Sequence, residues 1–458
     1  MLKPVQKNAE ISLLAPQADP TAAKKRLGAA VDLSTQGKGR SGEVLEQKSA
    51  DDGKAADRNK FASLGAEAPV QQGAPSEDIL VVCRGGATPL GGMHRRPRWQ
   101  GYFGQPPGVL IPGSAPVTAS EAAQSARDKK LFLRDLVAAY YPVDHPKLHF
   151  VEGRLDLKKI GPLGRTDEVG KLKKVALTVP QGLGGDWTFS PLAKSKGFEL
   201  DLNRALEQHA KLTKTLLDRG VEVYLLAQPD KASEAVYATD TLTAIGNTAM
   251  IGNPKHEARK LETEKFKGGV QLETFGGSKG PIEFGDVLLA HSGGTQFVFQ
   301  GYQSWRSTEE SVDALKNALG YLESRGNIDP FVHIPVRLTG DDTLHIDYVT
   351  NYAGEGSQRR MTLYREGIAD PSAIERMMQA LGIDKSQVIE ISREEMLAGA
   401  ANIESIDPRT VMVIDNPGTQ RVIAALQRAG LEVITLPFDQ MSQKDGTVHC
   451  CTAQLLRD

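Results

Sequence analysis

L-L-D-R-G-V-E-V-Y-L-L at Leu216–Leu226 and L-Q-R-A-G-L-E-V-I-T-L at Leu426–Leu436 carry the same unit twice. Leu, Arg, Gly, Glu and Val recur in order in both. In each, an apolar helical stripe ends at a glycine and a β-branched run follows at once. Glycine tolerates the left-handed backbone that closes a helix, so the unit reads helix, stop, strand. Ahead of the first copy, Ala205, Leu206, His209, Leu212, Leu216 and Leu217 share one face of a helix over Leu202–Arg219. Further upstream, K-V-A-L-T-V at Lys174–Val179 reads as a strand closed by Pro180. More strands are expected at 241–251, 286–301, 332–338, 345–350 and 410–415, and helices at 308–324 and 372–381. Recurring strand–helix–strand units mark an α/β chain built by repetition. Two copies leave open whether the units close into a ring or form an open sheet.

With a net charge of −2 over 458 residues, no global field draws the chain to nucleic acid or to an anionic membrane. Hydrophobic residues make up 40% and charged residues 24%, the balance of a soluble globular protein. No run approaches the ~20 apolar residues of a membrane helix, and no secretory signal pattern opens the sequence. Three cysteines are too few for a disulfide framework. Adjacent Cys450 and Cys451 would make a strained bridge, so they read as thiols. A cytoplasmic location is the expectation, with export through an N-terminal leader as the alternative.

Residues 1–75 are rich in Ala, Gln, Lys, Ser and Gly without an apolar period, and are expected to form a disordered leader. Residues 76–173 read as a poorly defined extension. It holds a short strand at Ile79–Cys83 and a helix over 118–141, starting at Thr118 or Ser120 and ending before Pro142. Between them, R-G-G-A-T-P-L-G-G-M-H-R-R-P-R-W-Q-G-Y-F-G mixes arginine with aromatics as a grip on single-stranded nucleic acid does. Its glycine and proline content makes a surface loop the better reading.

Residues able to do chemistry gather in short polar segments of the remaining body, 174–458. Cys450, in G-T-V-H-C-C-T-A-Q-L-L-R-D at Gly446–Asp458, becomes a nucleophile if a histidine and carboxylates reach it. Asp240 follows Y-A-T and opens a strand; Glu283 and Asp286 flank Phe284 and Gly285 ahead of another. In L-H-I-D-Y-V, strand alternation puts His345 and Asp347 on one face, as an acid/base and cation-binding pair. Arg259 and Glu262 have the spacing of an i,i+3 helical salt bridge, and Arg306 opens R-S-T. Each segment alone has a structural reading: a turn or cap for the acids, a buried pair for His345 and Asp347, a solvated bridge for Arg259. No zinc-like Cys/His spacing is present.

In order, Ala238-Thr239-Asp240, Arg259-x-x-Glu262, Glu283-Phe-Gly-Asp286-Val, His345-Ile-Asp347 and His449-Cys450-x-Thr452 resemble the guanidino-group-modifying superfamily. Its members include arginine deiminase, dimethylarginine hydrolase and the amidinotransferases. The resemblance covers about 174–458. H-C-C-T-A-Q-L-L-R-D is similar to the ending of bacterial arginine deiminases, Arg457 and Asp458 included. Dimethylarginine hydrolases also have paired cysteines, of which the first attacks. The resemblance implies a pentein α/β propeller, five ββαβ-type modules around a pseudo-fivefold axis, with the site in its central channel. It implies that Cys450 attacks the guanidino carbon while Asp240, Glu283 and Asp347 hold the guanidinium edge-on. His345 would protonate the leaving amine and then activate water; Arg259 and Arg306 would bind the substrate carboxylate. The partner implied is a small guanidino compound, with no metal and no organic cofactor; association of identical chains is left open.

Four positions depart from the family's pattern. Thr239 stands where arginine is frequent. Phe284 replaces a glycine and is expected to alter the pocket wall. Gly446 is what remains of a glycine cluster before the nucleophile. Asp347 occupies a position where dimethylarginine hydrolases usually have lysine, which points to the deiminase or amidinotransferase subgroup. Cys451 is expected to pack on the opposite face, with His449 a neighbour rather than the base. The function expected is hydrolysis of arginine to citrulline and ammonia. The alternatives are amidino transfer to an amine, deimination of protein-bound arginine, and a binding module without catalysis.

Overall fold

Short β-branched runs separated by glycine turns pair locally, and helices cover them; that pattern recurs along the described residues. The computed structural model describes residues 133–181, 201–229, 232, 234–340 and 343–458. Among these, Leu242–Ile245 pairs antiparallel with Thr248–Ile251, which pairs parallel with Val270–Gln271. Val287–Ser292, Thr295–Tyr302 and Phe331–Arg337 repeat the arrangement. So do Thr350–Ala353, Arg360–Leu363 and Val388–Glu390, and likewise Glu404–Asp407, Thr410–Ile414 and Glu432–Leu436. A helix fills the parallel crossover each time, as connections between parallel strands require: Glu257–Thr263, Glu310–Ser324, Pro371–Leu381 and Gln420–Arg428. Their ends follow the sequence. Asp370 caps Pro371–Leu381 at one end, and Gly382, at φ 64°, closes it at the other.

Besides a two-stranded pair of Leu155–Asp156 with Phe266–Lys267, one further sheet borrows its antiparallel strand from the far end of the chain. Ala453–Arg457 pairs with Leu172–Thr178, which pairs parallel with Glu222–Leu226 across the helix Leu202–Asp218. Leu148–Val151 adds a fourth strand outside. The two echoing segments of the sequence thus occupy equivalent places in the first and last units. Gly220 and Gly430 both have positive φ, and Arg219 pairs with Glu432 between the units.

Five apolar clusters lie between consecutive sheets. Leu226 and Ala453 meet Leu242 and Ile251; Ile245 and Met250 meet Val287 and Val298. Phe299 and Val336 meet Tyr352 and Leu363; Ala353 and Ile389 meet Val411 and Val413. The fifth joins Met412, Ile414 and Leu436 back to Val175, Leu177 and Val223. Among the described residues, neighbouring sheets therefore pack on one another through these clusters.

Most expected elements are present with small shifts. The spans 241–251 and 286–301 are hairpins, turning at Gly246 and at Gly293–Gly294, rather than single strands. The strand expected at 345–350 is a correction: Ile346–Val349 is one helical turn, and the strand is Thr350–Ala353. The packed body begins before 174, since Leu148–Val151 and Leu155–Asp156 pair with strands of the body. Residues 133–140 are helical; the rest of the helix expected over 118–141, the strand at Ile79–Cys83, the Arg-rich loop and the leader lie outside the described residues. No helix among the described residues is long and apolar enough to cross a membrane.

The borrowed strand is held by a buried ion pair. Arg457 donates to Glu404, to Ser405 O at 2.7 Å and to Gly170 O at 2.6 Å. Arg457→Met keeps the volume but leaves Glu404 buried without its cation, and is expected to cost ~3–5 kcal/mol in urea unfolding. Adding Glu404→Gln should recover part of that loss; a double variant no more stable than Arg457→Met would count against the pair.

Candidate active site

Three of the sheets are entered in the same way, through a short turn just before their first strand. Ala238–Asp240 precedes Leu242–Ile245, Phe284–Asp286 precedes Val287–Ser292, and Ile346–Val349 precedes Thr350–Ala353. Asn402 stands two residues before Glu404–Asp407, and a turn at 448–451 leads into Ala453–Arg457. Asp240, Glu283, His345, Asp347, Asn402 and Cys450 all come from these entries and are at most 2% exposed. Repetition of the fold therefore delivers one or two polar side chains from every unit to a common place.

Arg259 organises one half of that place. Its Nη1 donates to Asp240 Oδ2 at 2.7 Å and to Glu283 Oε2 at 3.1 Å. Nη2 donates to Glu262 Oε2 at 2.9 Å and to Tyr237 O at 3.3 Å, and Glu234 lies 3.6 Å from Nη1. Arg306 donates to Glu234 Oε2 at 2.7 Å and to Glu283 Oε1 at 3.4 Å. His345 Nε2 is 3.1 Å from Glu283 Oε2, and its Nδ1 is 3.8 Å from Asp240 Oδ1. Burial pushes Glu283 up, but the two guanidiniums and His345 reverse this and hold it well below the usual carboxylate range. Burial also disfavours a charged His345; Asp240, Glu283 and Asp286 overcome it and raise the imidazole to about 9. Asp240 moves up, because burial outweighs His345 and Arg259.

The thiol lies in the other half. Asp347 Oδ2 is 3.5 Å from Cys450 Sγ and accepts from His449 Nδ1 at 2.8 Å. His449 Nε2 lies 3.5 Å from Glu168 and 4.0 Å from Glu404. Burial alone would discharge this imidazole, but the hydrogen bond to Asp347 and the nearby carboxylates of Glu168 and Glu404 raise it to about 10. Cys450 is pushed well above the ordinary thiol value by burial and by the charges of Asp347 and Asp240. The halves are joined directly: Thr239 N donates to Cys450 O at 3.0 Å, and the Thr239 hydroxyl is 2.7 Å from His449 O. Gly285 permits the contact, since a Cβ there would fall 2.6 Å from His345 Nδ1 and 2.8 Å from Asp240 Oδ1.

Three carboxylate oxygens in this centre, Asp240 Oδ1, Asp347 Oδ1 and Glu262 Oε1, are buried without a hydrogen-bond donor, and His345 Nδ1 is buried without an acceptor. Buried acceptors are normally satisfied, so the centre has room for a ligand rich in N–H groups. Ligand atoms of Asp240, Glu283 and His345 lie within 4.8 Å of one another, the spacing of a metal site. Arg259 already places a guanidinium nitrogen against two of them. In this structure the Arg259 guanidinium is the cation that these two carboxyl groups meet.

Comparison with known proteins agrees with this chemistry. The family model for eukaryotic N,N dimethylarginine dimethylhydrolases matches residues 193–457, more than half of the chain. The chain belongs to that family. It is 24% identical over 281 residues to the N(G),N(G)-dimethylarginine dimethylaminohydrolase of Pseudomonas aeruginosa, covering 60% of this chain and 96% of that protein. Among solved structures it is similar to apo ArgZ, an arginine dihydrolase from cyanobacteria, with TM-score 0.50 and 17% identity over 62% of this chain and 41% of that one. A mutant of AgrE in complex with L-arginine gives TM-score 0.50 and 16% identity, over 62% and 40%. These structural likenesses bear on the fold, which is that of the pentein guanidino-modifying superfamily.

In this dimethylarginine dimethylhydrolase-family chain, all seven residues singled out from the sequence come together. Two placements differ from expectation. Asp240 ends a turn rather than opening a strand. His345 and Asp347 do not share a pleat face; a helical turn sends His345 towards Glu283 and Asp347 towards His449 and Cys450. Phe284 lies in the apolar cluster with Met250 and Leu315, not on a pocket wall. Cys451 packs in the cluster with Tyr237 and Phe438. Gly446 is required, because a Cβ there would fall 2.1 Å from the Tyr237 ring. Glu234, Glu168, Glu404 and Asn402 were not legible as site residues. The signal for Asn402 was its position, two residues ahead of a first strand, as Asp240 is two ahead of Leu242.

The raised groups predict alkaline sensitivity. His345 and His449 stabilise the fold fully below their ordinary value near 6.5, and lose that contribution as pH rises through about 9 and about 10. Burial pushes Glu404 to about 7 and Glu262 to about 8, so each resists ionising and adds a loss in the same direction at lower pH, beginning near the ordinary 4.5 and complete by about 7 and about 8. The midpoint of thermal unfolding is expected to fall steadily between pH 7 and 10. His449→Gln should flatten the part above pH 8. A midpoint that holds or rises over that range would contradict the buried imidazoliums.

Proposed function

We propose that the protein hydrolyses the guanidino group of a free amino acid, most simply arginine to citrulline and ammonia, through a covalent adduct on Cys450. The observation that carries this reading is the pair of unsatisfied carboxylate oxygens, Asp240 Oδ1 and Asp347 Oδ1, beside a buried thiol. A guanidinium is a planar cation bearing several N–H donors, and its carbon is a poor electrophile unless held and polarised. Two carboxylates gripping its edges supply both. The same cation offsets the negative charges that keep Cys450 protonated, so substrate binding favours release of the thiol proton to solvent and leaves the thiolate. Sγ then forms a bond to the guanidino carbon. As the C–N bond breaks, protonated His345 gives its proton to the leaving nitrogen. Neutral His345 next takes a proton from water, which adds to the thiouronium carbon and expels the sulfur, leaving a ureido product.

Asp347 supports unsubstituted arginine as the substrate rather than the dimethylated form, since a second carboxylate needs N–H groups on both ends of the guanidinium. For the substrate carboxylate we assign Arg306, whose Nε has no partner, together with Arg259, which would exchange part of its carboxylate contacts. The cyclic succession of clusters between sheets supports the five-module propeller, with this centre at its axis.

The test is incubation with arginine, N,N-dimethylarginine and agmatine, scoring ureido product, with and without an amine acceptor. Arginine should be converted, and Cys450→Ser should remove all turnover without unfolding the protein. Asp240→Asn and Asp347→Asn should each lower kcat/KM on the order of 100-fold or more. Product carrying the amidino group on the acceptor would turn the reading to a transferase. No turnover of any guanidino compound, with Cys450 intact, would end it.

A further inference from the structure

The unit between Leu397 and Glu404 contributes one polar side chain to the centre, and that side chain touches the reacting atom. Asn402 Nδ2 lies 3.1 Å from Cys450 Sγ and 3.4 Å from Asp347 O. Which end of the amide faces the sulfur is settled by its neighbours. Asn402 Oδ1 is 3.3 Å from the Cys450 backbone N–H, a group that only donates, and 2.6 Å from the Thr447 hydroxyl. The oxygen must accept there, so the NH₂ group points at the sulfur. Asn402 is 1% exposed, with both ends committed.

We propose that Asn402 is a catalytic residue, whose side-chain amide donates a hydrogen bond to the Cys450 sulfur and stabilises its thiolate form once the proton has left. This rests on the reading of Cys450 as the nucleophile. An N–H group bonds a thiolate much more strongly than a thiol, because the acceptor then carries the charge. The other groups around the sulfur work mostly the other way. Asp347 lies 3.5 Å from it, and burial together with the charges of Asp347, Asp240 and Cys451 disfavours its thiolate. His449 acts on it only through Asp347, and the Thr447 backbone adds one hydrogen bond in the thiolate's favour. Asn402 is thus a neutral donor in a setting of carboxylates, and it gives the sulfur a partner without neutralising the charges that a guanidinium must meet. In the reaction the sulfur gains a bond to carbon as the amine leaves, and recovers its electron pair when the ureido product forms. The amide is placed to bond that pair at both stages.

The thiol can be titrated in the full-length protein without substrate, from its absorbance near 240 nm, each variant being read against the same variant carrying Cys450→Ser. Asn402→Leu and Asn402→Ala are expected to raise the Cys450 midpoint by about one to two pH units. They should slow alkylation by iodoacetamide about tenfold at a fixed pH below the midpoint. In turnover, kcat should fall with little change in KM. Thr447→Ala removes a pin of the same turn but not the donor, so it should lower stability and shift the thiol far less. If the larger changes prevent folding, Asn402→Ser fills the turn without reaching the sulfur and is titrated instead. A folded Asn402 variant that titrates at the wild-type midpoint would overturn the assignment, as would an equal shift in Thr447→Ala. An inactive wild type would end the guanidino reading and leave the titration result standing.

Discussion

Charged groups removed from water must be paid back in contacts, and the centre of this protein is built around one cation that four buried carboxyl groups share. Arg259 lies within 3.6 Å of Glu234, Asp240, Glu262 and Glu283, all buried. Removing a carboxylate from water is expensive, and removing four side by side would be prohibitive without a delocalised cation that donates in several directions. Arg306 and His345 share the load. Much else follows from keeping this set together. The turns that deliver the carboxylates are short and closed by backbone hydrogen bonds, and Gly285 leaves the space that His345 and Asp240 need. The matching is nearly complete, which gives meaning to the few oxygens it leaves out.

A second charge set, on the thiol side, belongs to the way the chain is joined. Glu168 pairs with Arg165 and reaches His449, while Arg457 binds Glu404 and the backbone of Gly170. These contacts fasten the last strand to the first sheet, and through His449 and Asp347 they also orient the neighbourhood of the sulfur. Fold closure and chemistry share residues here. A substitution made to study one will disturb the other.

The unit structure could be read in the chain because its signals are local. A helical stripe, a glycine stop and a β-branched run sit within a dozen residues at 216–226 and again at 426–436. The hairpins at 241–251 and 286–301 were read as single strands because glycine turns inside apolar runs interrupt them only briefly. His345-Ile-Asp347 was misjudged for a different reason. Alternation and one helical turn both fit three residues, and the hydrogen bond from Ile346 N to Asp286 Oδ1, made 60 positions away, favours the turn. Arg259 could be recognised as paired with Glu262 but not with Asp240, since only the folded chain brings its helix over that turn. Asn402 lacked any chemical signature of its own. An asparagine between apolar residues looks like a loop residue until the sulfur beside it is known.

The borrowed strand also sets the order in which the protein can mature. Leu172–Thr178 is made early, yet its antiparallel partner is translated only after the other units have emerged, and Arg457 finds Gly170 across 287 positions. Until then one edge of the first sheet has open hydrogen-bonding groups, the kind of edge that invites wrong partners. Contacts this distant in sequence slow folding, since loop entropy is lost before the contact stabilises anything. The ribosome thus releases the carboxylates first and the sulfur afterwards. A nascent chain can assemble much of its cation cradle while it still has no means of reacting with what the cradle holds.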